Sequence, residues 1–444
     1  MLVCTEHLSL SRMGAACTLK KENELVTDLK IFETMESEVR GYVRSFPVVF
    51  SKAKGSILFD EQGKQYVDFF SGAGTLNYGH NNPFLKQKII DYIAADGVLH
   101  GLDMATSAKR AFIQAVQRHL LQPRGWEYVL QFTGPTGTNV VEAALKLARQ
   151  VKGRSNVVSF THGFHGVSSG SLAVTANRKF REAAGVPLGN VTFLPYDGYL
   201  GPDVNTLAYF ERMLTDPSSG LDKPAAVIVE TVQGEGGVNV ATKAWLQELA
   251  GLCKHHDMLL IIDDIQVGCG RTGSFFSFDG MGIEPDMITL SKSLSGFGLP
   301  MSLLLLKPEL DVWKPGAHSG TFRGNNLAFV GATYALENYW ADGEFVKQTQ
   351  HKAEHVADFL ENIVQNHPEA GLSVRGRGLI QGLVCTPNGL AERITQGCFE
   401  RGLVIETAGA QDEVVKVLPA LTIEHDVLQQ GLAILETSVT AALS

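Results

Sequence analysis

The sequence predicts an α/β protein with a large, mainly parallel sheet and a smaller α/β domain built from the two ends of the chain. The first reason is alternation. Short apolar runs, at Tyr128–Phe132, Asn156–Phe160, Ala225–Glu230, Met258–Asp263 and Met287–Leu290, are separated by longer helix-like stretches, as expected of strands covered on both faces. The second is glycine. There are 46 in 444 residues, against about 31 at ordinary usage, and they cluster between the apolar runs and the helix-like stretches. Ligands of open α/β sheets sit at the carboxyl ends of the strands, so these strand ends direct chemistry to one rim. A composition shift near residue 325 opens a C-terminal part that ends in a helix-like stretch, Val427–Ala442. The expected organisation is an extension at 1–28, an N-terminal segment at 29–70 joining the small domain, a large domain at 71–325 and a small domain at 326–444.

Composition sets outer limits. Hydrophobic residues make up 44% and charged residues 19%, which supports a substantial core and excludes wholesale disorder. Lys and Arg number 38 against 47 Asp and Glu, a net charge of −9. That argues against nucleic-acid and anionic-membrane partners. The longest apolar runs, such as Met258–Ile262 and Met301–Leu306, fall far short of the roughly 20 residues of a membrane-spanning helix. The six cysteines, Cys4, Cys17, Cys253, Cys269, Cys385 and Cys398, form no Cys-x-x-Cys pair and no zinc spacing, and read as reduced thiols of a cytoplasmic protein. Met1–Asp28 is polar and patternless, unlike a signal peptide; it reads as a disordered extension, with Met13 as an alternative initiator.

Thr133-Gly-Pro-Thr-Gly137-Thr138-Asn139 follows an apolar run and opens a helix with Val140, Ala143, Ala144, Leu147 and Ala148 on one stripe and Glu142–Lys146 spaced as an i,i+4 pair. Free N–H groups at such a turn suit a phosphate, although a capped helix without ligand has the same appearance. Asp263-Asp264 ends the run Met258–Ile262. A carboxylate there needs a partner, be it a helix cap, a salt bridge, a ligand or a magnesium ion. Lys292 stands between an apolar strand and a loop, where burial would lower its pKa and free its amine for a Schiff base; most lysines are simply solvated. Phe164, in Phe164-His165-Gly166, offers a face to a flat heterocycle or to its own loop. Glu230 and Glu235 flank Thr-Val-Gln-Gly. Arg375, in Val-Arg-Gly-Arg-Gly, suits a carboxylate clamp or a surface ion pair. Taken together, a phosphate cradle, a stacking ring, a strand-end Asp and a strand-end Lys meet the needs of pyridoxal 5′-phosphate. No metal site is expected.

Four motifs carry a family resemblance: Val229-Glu230-x-Val-Gln-Gly-Glu235-Gly-Gly, Ile262-Asp263-Asp264-Ile-Gln266-x-Gly-x-Gly-Arg271-Thr-Gly, Ser291-Lys292, and His318-x-Gly320-Thr321-Phe322-x-Gly324-Asn325. From Ile31 to the C-terminus the chain resembles the class III (ω-amino) aminotransferases of fold-type I. Segments such as Gly72–His80, Gly134–Asn139, Thr289–Ser295 and Val414–Ile423 resemble the branch of that class that forms L-2,4-diaminobutyrate for ectoine. Asp264 stands where the wider class has Glu, whereas the branch has Asp-Asp; Met1–Asp28 has no counterpart.

The resemblance implies a set of roles. Lys292 would bond the cofactor aldehyde and shuttle the substrate proton. Asp263 would pair with the ring nitrogen, Phe164 would stack on the ring and Gln266 would lie near its 3-oxygen. Gly137 and Thr138 would hold the phosphate, with Thr321 reaching the phosphate of a neighbouring subunit in a homodimer or homotetramer. His165 and Glu230 complete the cofactor-binding set. Arg375 would bind the α-carboxylate of glutamate and 2-oxoglutarate, and Glu235 would mask it when the ω-amino substrate is bound. The implied reaction converts L-aspartate 4-semialdehyde and L-glutamate into L-2,4-diaminobutyrate and 2-oxoglutarate. Another ω-amine, such as ornithine, 4-aminobutyrate or a secondary-metabolite precursor, is the alternative.

Overall fold

The computed structural model describes residues 29–444. The expectations for Met1–Asp28, including Met13, Cys4 and Cys17, lie outside the described residues. Residues 29–49 belong to a unit of their own, with two short helices, Lys30–Met35 and Tyr42–Ser45. Residues 50–444 form the second unit.

The strands of that unit are β1 (Phe50–Lys54), β2 (Ile57–Asp60), β3 (Gln65–Asp68), β4 (Val129–Phe132), β5 (Val157–Phe160), β6 (Val191–Leu194), β7 (Ala226–Val229), β8 (Val232–Gln233), β9 (Asn239–Val240), β10 (Leu259–Asp263), β11 (Met287–Leu290), β12 (Leu303–Leu306), β13 (Leu372–Arg377), β14 (Ile380–Cys385), β15 (Leu403–Val404), β16 (Glu406–Ala408) and β17 (Val414–Val417). Seven make the large sheet, in the order β4-β12-β11-β10-β7-β5-β6. It is parallel except for β12, which runs antiparallel to both β4 and β11. The five apolar runs singled out above are strands of this sheet, and the run Met301–Leu306 contains the antiparallel one.

Strand periodicity divides the core between the two faces of the sheet. Leu260, Ile262, Val227, Val229, Leu303 and Leu305 pack on one side. Leu259, Ile261, Ala226, Ile228, Leu304 and Leu306 pack on the other, against helix Gly137–Lys152. That helix buries Val140, Ala143, Ala144, Leu147 and Ala148 as its stripe requires. The expected Glu142–Lys146 pair does not form. Glu142 accepts from Ser168 Oγ and from the N–H groups of Gly170 and Ser171 at 2.7, 2.8 and 3.1 Å, and Lys146 donates to the Ala317 carbonyl at 2.7 Å. Fixed donors at the start of the short helix Ser169–Val174 outweigh an exposed i,i+4 pair worth about a few tenths of a kcal/mol.

Three smaller sheets complete the unit, one of them the two-stranded antiparallel pair β8-β9. β1, β2 and β3 are antiparallel, and β15 adds in parallel to β3, so residues 50–68 and 403–404 share a sheet. β13-β14-β17-β16 is wholly antiparallel. Val67, Phe69, Leu383, Val415 and Leu432 lie in one further core. The last helix runs His425–Leu443. Among the described residues no helix is long and apolar enough to cross a membrane, and Cys253, Cys269, Cys385 and Cys398 are free and buried.

Helix Gly137–Lys152 carries the first residues of the site, so its packing is functional as well as structural. Leu145 is 0% exposed, and Leu145→Ala should destabilise the protein by about 2–5 kcal/mol, seen as a lower urea midpoint. A midpoint unchanged from the parent would refute the packing.

Candidate active site

One cavity of about 280 Å³ opens at the carboxyl ends of the strands. It is lined by Gly137, Thr138, Phe164, His165, Glu230, Glu235, Asp263, Gln266 and Lys292, with Thr136, Gly166, Val167 and Ile265. Nine of the sequence-derived site residues therefore converge on it. Arg375 and Thr321 do not line it.

The helix N-terminus is open. Thr136 sits at the N-cap position with extended backbone and makes no side-chain cap bond. The first N–H groups, of Gly137 and Thr138, have no acceptor among the described residues and keep the positive end of the helix dipole bare. The Thr138 hydroxyl is taken by Ser168 and Ser171, at 2.6 and 2.5 Å. Gly166 is needed for this close approach. Its φ is +123°, and a Cβ there would lie 2.6 Å from Thr138 Oγ1.

Asp263, the last residue of β10, is 3% exposed. One carboxylate oxygen meets His165 Nδ1 at 2.7 Å, and the other accepts from Thr289 Oγ1 at 3.1 Å and the Ile265 N–H at 3.2 Å. Burial alone would lower the His165 pKa, but the hydrogen bond and charge of Asp263 prevail and raise it. Asp264 turns away and accepts from the Ser277 N–H at 3.1 Å, and burial raises its carboxyl to about 7. Of the two adjacent carboxylates, then, only Asp263 faces the cavity. Among the described residues no group of three or more His, Cys, Asp or Glu gathers as a metal site would require.

Lys292 follows β11 with a left-handed backbone, φ 48°, a conformation that non-glycine residues adopt at a cost and that recurs at functional sites. Its Nζ donates to the Ala73 carbonyl at 2.8 Å. Burial lowers its pKa, against the pull of Glu235. Ala73 lies in a turn where Ser71, Gly72, Ala73 and Gly74 all have positive φ, and the same carbonyl accepts from Gln266 Nε2 at 3.0 Å. Glu230 is buried, accepts the Phe164 N–H at 2.9 Å and is pushed up to about 7 by burial. The Phe164 ring lies edge-on to Phe180, with centroids 5.2 Å apart.

Glu235 Oε1 accepts from Gln266 Nε2 and from Lys416 Nζ, both at 2.8 Å. Burial works to raise the Glu235 pKa, but Lys416 and then Lys292 outweigh it and hold the carboxyl down to about 2. Lys416, 0% exposed, also meets Glu406 at 2.9 Å. Arg375 lines a neighbouring cavity of about 640 Å³ with Tyr199, Asn239 and Glu413. Its Nη1 donates to the Gly237 carbonyl at 3.2 Å and to Asn239 Oδ1 at 2.6 Å. Glu235 is thus paired with Lys416 and not with Arg375. Thr321 is exposed. The sequence reading missed Lys416, Ala73 and Thr289. Lys416 had a signal, a lone charge in the apolar run Val414-Val-Lys-Val-Leu, whereas a backbone carbonyl such as that of Ala73 has none.

An open helix N-terminus, a strand-end Asp and a part-buried Lys thus converge on one cavity. The class III aminotransferase family model matches residues 39–439, and the chain belongs to that family. It is 72% identical over 418 residues to the diaminobutyrate–2-oxoglutarate transaminase of Bordetella parapertussis, covering 94% of this chain and 96% of the relative. It is 59% identical over 408 residues to the Vibrio cholerae protein of the same name, covering 92% and 99%. The solved ornithine aminotransferase of Toxoplasma gondii superposes with a TM-score of 0.80 at 26% identity, covering 94% of this chain and 96% of that one. Aminotransferases of this class use pyridoxal 5′-phosphate, and the donors present fit it: open N–H groups for a phosphate, Asp263 for a protonated ring nitrogen and Lys292 for an aldehyde.

The Glu235 pKa sets a pH dependence. A depressed carboxyl contributes stability that is fully present above its unfolded value of 4.5 and is lost as pH falls toward about 2. The stability difference between the native chain and Glu235→Gln should stay constant from neutrality down to pH 4.5 and shrink only below it. Urea midpoints along a pH series check this; a difference that closes near neutrality would contradict the pairing.

Proposed function

We propose that this enzyme transfers an amino group from L-glutamate to the aldehyde of L-aspartate 4-semialdehyde, giving 2-oxoglutarate and L-2,4-diaminobutyrate in two alternating half-reactions. The observation that carries the substrate is the near-full-length identity of 72% to a transaminase of that name. When bound, pyridoxal 5′-phosphate supplies the electron sink and carries the amino group between half-reactions.

The chain's residues divide the remaining work. Gly137 and Thr138 anchor the phosphate with their N–H groups and the helix dipole. Asp263, fixed by His165, Thr289 and the Ile265 N–H, keeps negative charge opposite the ring nitrogen. Phe164 covers one face of the ring, on a loop held by Glu230, and Gln266 lies beside the 3-oxygen. Lys292 Nζ holds the cofactor and moves the proton of the reacting substrate carbon, a task that suits an amine whose pKa burial has lowered. Arg375 takes the α-carboxylate of glutamate or 2-oxoglutarate. Glu235 covers Arg375 when the ω-amino substrate binds, since a bare cation in a closed pocket would be costly. Thr321, exposed in one copy, contributes to the phosphate site of a second, which makes the working unit a homodimer or larger assembly in the cytoplasm.

A half-reaction panel tests this reading. L-2,4-diaminobutyrate and L-glutamate should each bleach the bound cofactor's absorbance rapidly, and L-ornithine and 4-aminobutyrate slowly. Preference for ornithine or 4-aminobutyrate would overturn the substrate while keeping the reaction. Lys292→Ala should abolish turnover and the covalent adduct trapped by borohydride; a retained adduct would overturn the lysine's role.

A further inference from the structure

The sheet β13-β14-β17-β16 carries a row of charge of which the proposed chemistry uses only Arg375. Arg375 pairs in register with Gly382, Gly382 with Lys416, and Lys416 with Glu406. Residues opposite one another across strands project from the same face. Two cations therefore share a face, two strands and roughly 10 Å apart, with a glycine between them. The turn joining β8 to β9 lies over this face. A Cβ on Gly382 would come within 3.2 Å of Val238 Cγ2. Gly237 and Asn239 accept from Arg375, and Glu235, on the same turn, accepts from Lys416. Glu235 is thus carried on a segment that engages both cations.

The partners of the two cations differ in kind. Lys416 is 0% exposed and bridges two carboxylates, Glu235 at 2.8 Å and Glu406 at 2.9 Å. Arg375 meets only neutral acceptors and has no carboxylate partner among the described residues. We infer that Lys416 is the second seat of Glu235, a positioning residue that holds this carboxylate off Arg375 and leaves the guanidinium ready for the carboxylate of glutamate. The inference rests on the reading in which Arg375 binds that carboxylate. Glu406 makes the movement reversible. When Glu235 leaves for Arg375, Glu406 stays on Lys416, so no buried cation is stranded, a state that would otherwise cost several kcal/mol. Glu406 also competes with Glu235 for the ammonium group, so it sets the balance between the two seats.

Two variants of the holoenzyme test this with opposite expected signs. The readouts are the dissociation constant of glutarate, an unreactive dicarboxylate, by calorimetry, and the separate half-reactions with glutamate and diaminobutyrate. Lys416→Met should send Glu235 onto Arg375. Glutarate binding then weakens about tenfold or more and the KM for glutamate rises, while the diaminobutyrate half-reaction persists; Lys416→Arg should restore glutarate binding. Glu406→Gln should act in reverse, tightening glutarate and slowing the diaminobutyrate half-reaction. Equal losses in both half-reactions, or glutarate binding untouched by Lys416→Met, would overturn the inference. If Lys416→Met fails to fold, an unchanged ratio of half-reactions in Glu406→Gln overturns it alone. Arg375→Ala separates the two levels. Intact glutarate binding in that variant refutes the assignment of Arg375 itself. Binding lost there but kept in Lys416→Met refutes only the role of Lys416.

Discussion

Asp263 ends a strand in which every residue is buried, and an unpaired carboxylate at that depth would cost far more than the fold could absorb. Much of the site can be understood as the answer to that cost. His165 comes from the loop after β5, Thr289 from the register partner on β11, and the Ile265 N–H from the turn just beyond the strand. Each partner is held by a different strand of the parallel sheet or its loop, so the carboxylate fixes those segments relative to one another. The charge on the cavity floor is thus met by a complete set of partners.

The same logic extends outward with weaker constraints. Glu230 ties down the Phe164 loop, and Glu142 ties down the start of the short helix Ser169–Val174. The Ala73 carbonyl, presented by a turn with positive φ at four successive residues, accepts from both Lys292 and Gln266. Backbone strain at Ala73 and Lys292 is thus concentrated where the reactive amine is held. These contacts leave Lys292 enclosed yet uncommitted to a carboxylate, which is the condition under which burial can lower its pKa.

A transaminase with two unlike substrates needs a pocket whose charge can change. The antiparallel sheet offers the groups for such a change, with two cations and a carboxylate in one cross-strand row and a second carboxylate on the turn above. Small sheets are suited to this, because register places side chains from separate strands on one face at fixed spacing. In the proposed reaction the parallel sheet carries the groups for the cofactor, and the antiparallel sheet carries Arg375 and Lys416, the two seats proposed for Glu235.

The local features were legible in the sequence. Apolar runs bounded by Gly and Asp marked five strands of the large sheet, the stripe from Val140 to Ala148 marked the helix, and the Gly/Thr turn before it marked where that helix begins. These follow from neighbours in the chain, where period and end signals act directly. The resemblance pointed to Asp263 over Asp264, but the contact that holds Asp263 inward, with His165, lies 98 positions away in the chain. The pairing of Glu235 with Lys416 joins residues 181 positions apart, and the lone lysine in Val414–Leu418 announced burial without naming its partner. Sequence by itself determined the elements and the chemistry they carry. The tertiary structure decided which charges meet, because a buried ion pair is chosen by the distance and exclusion of water that folding creates, and neither quantity is written in any local stretch of chain.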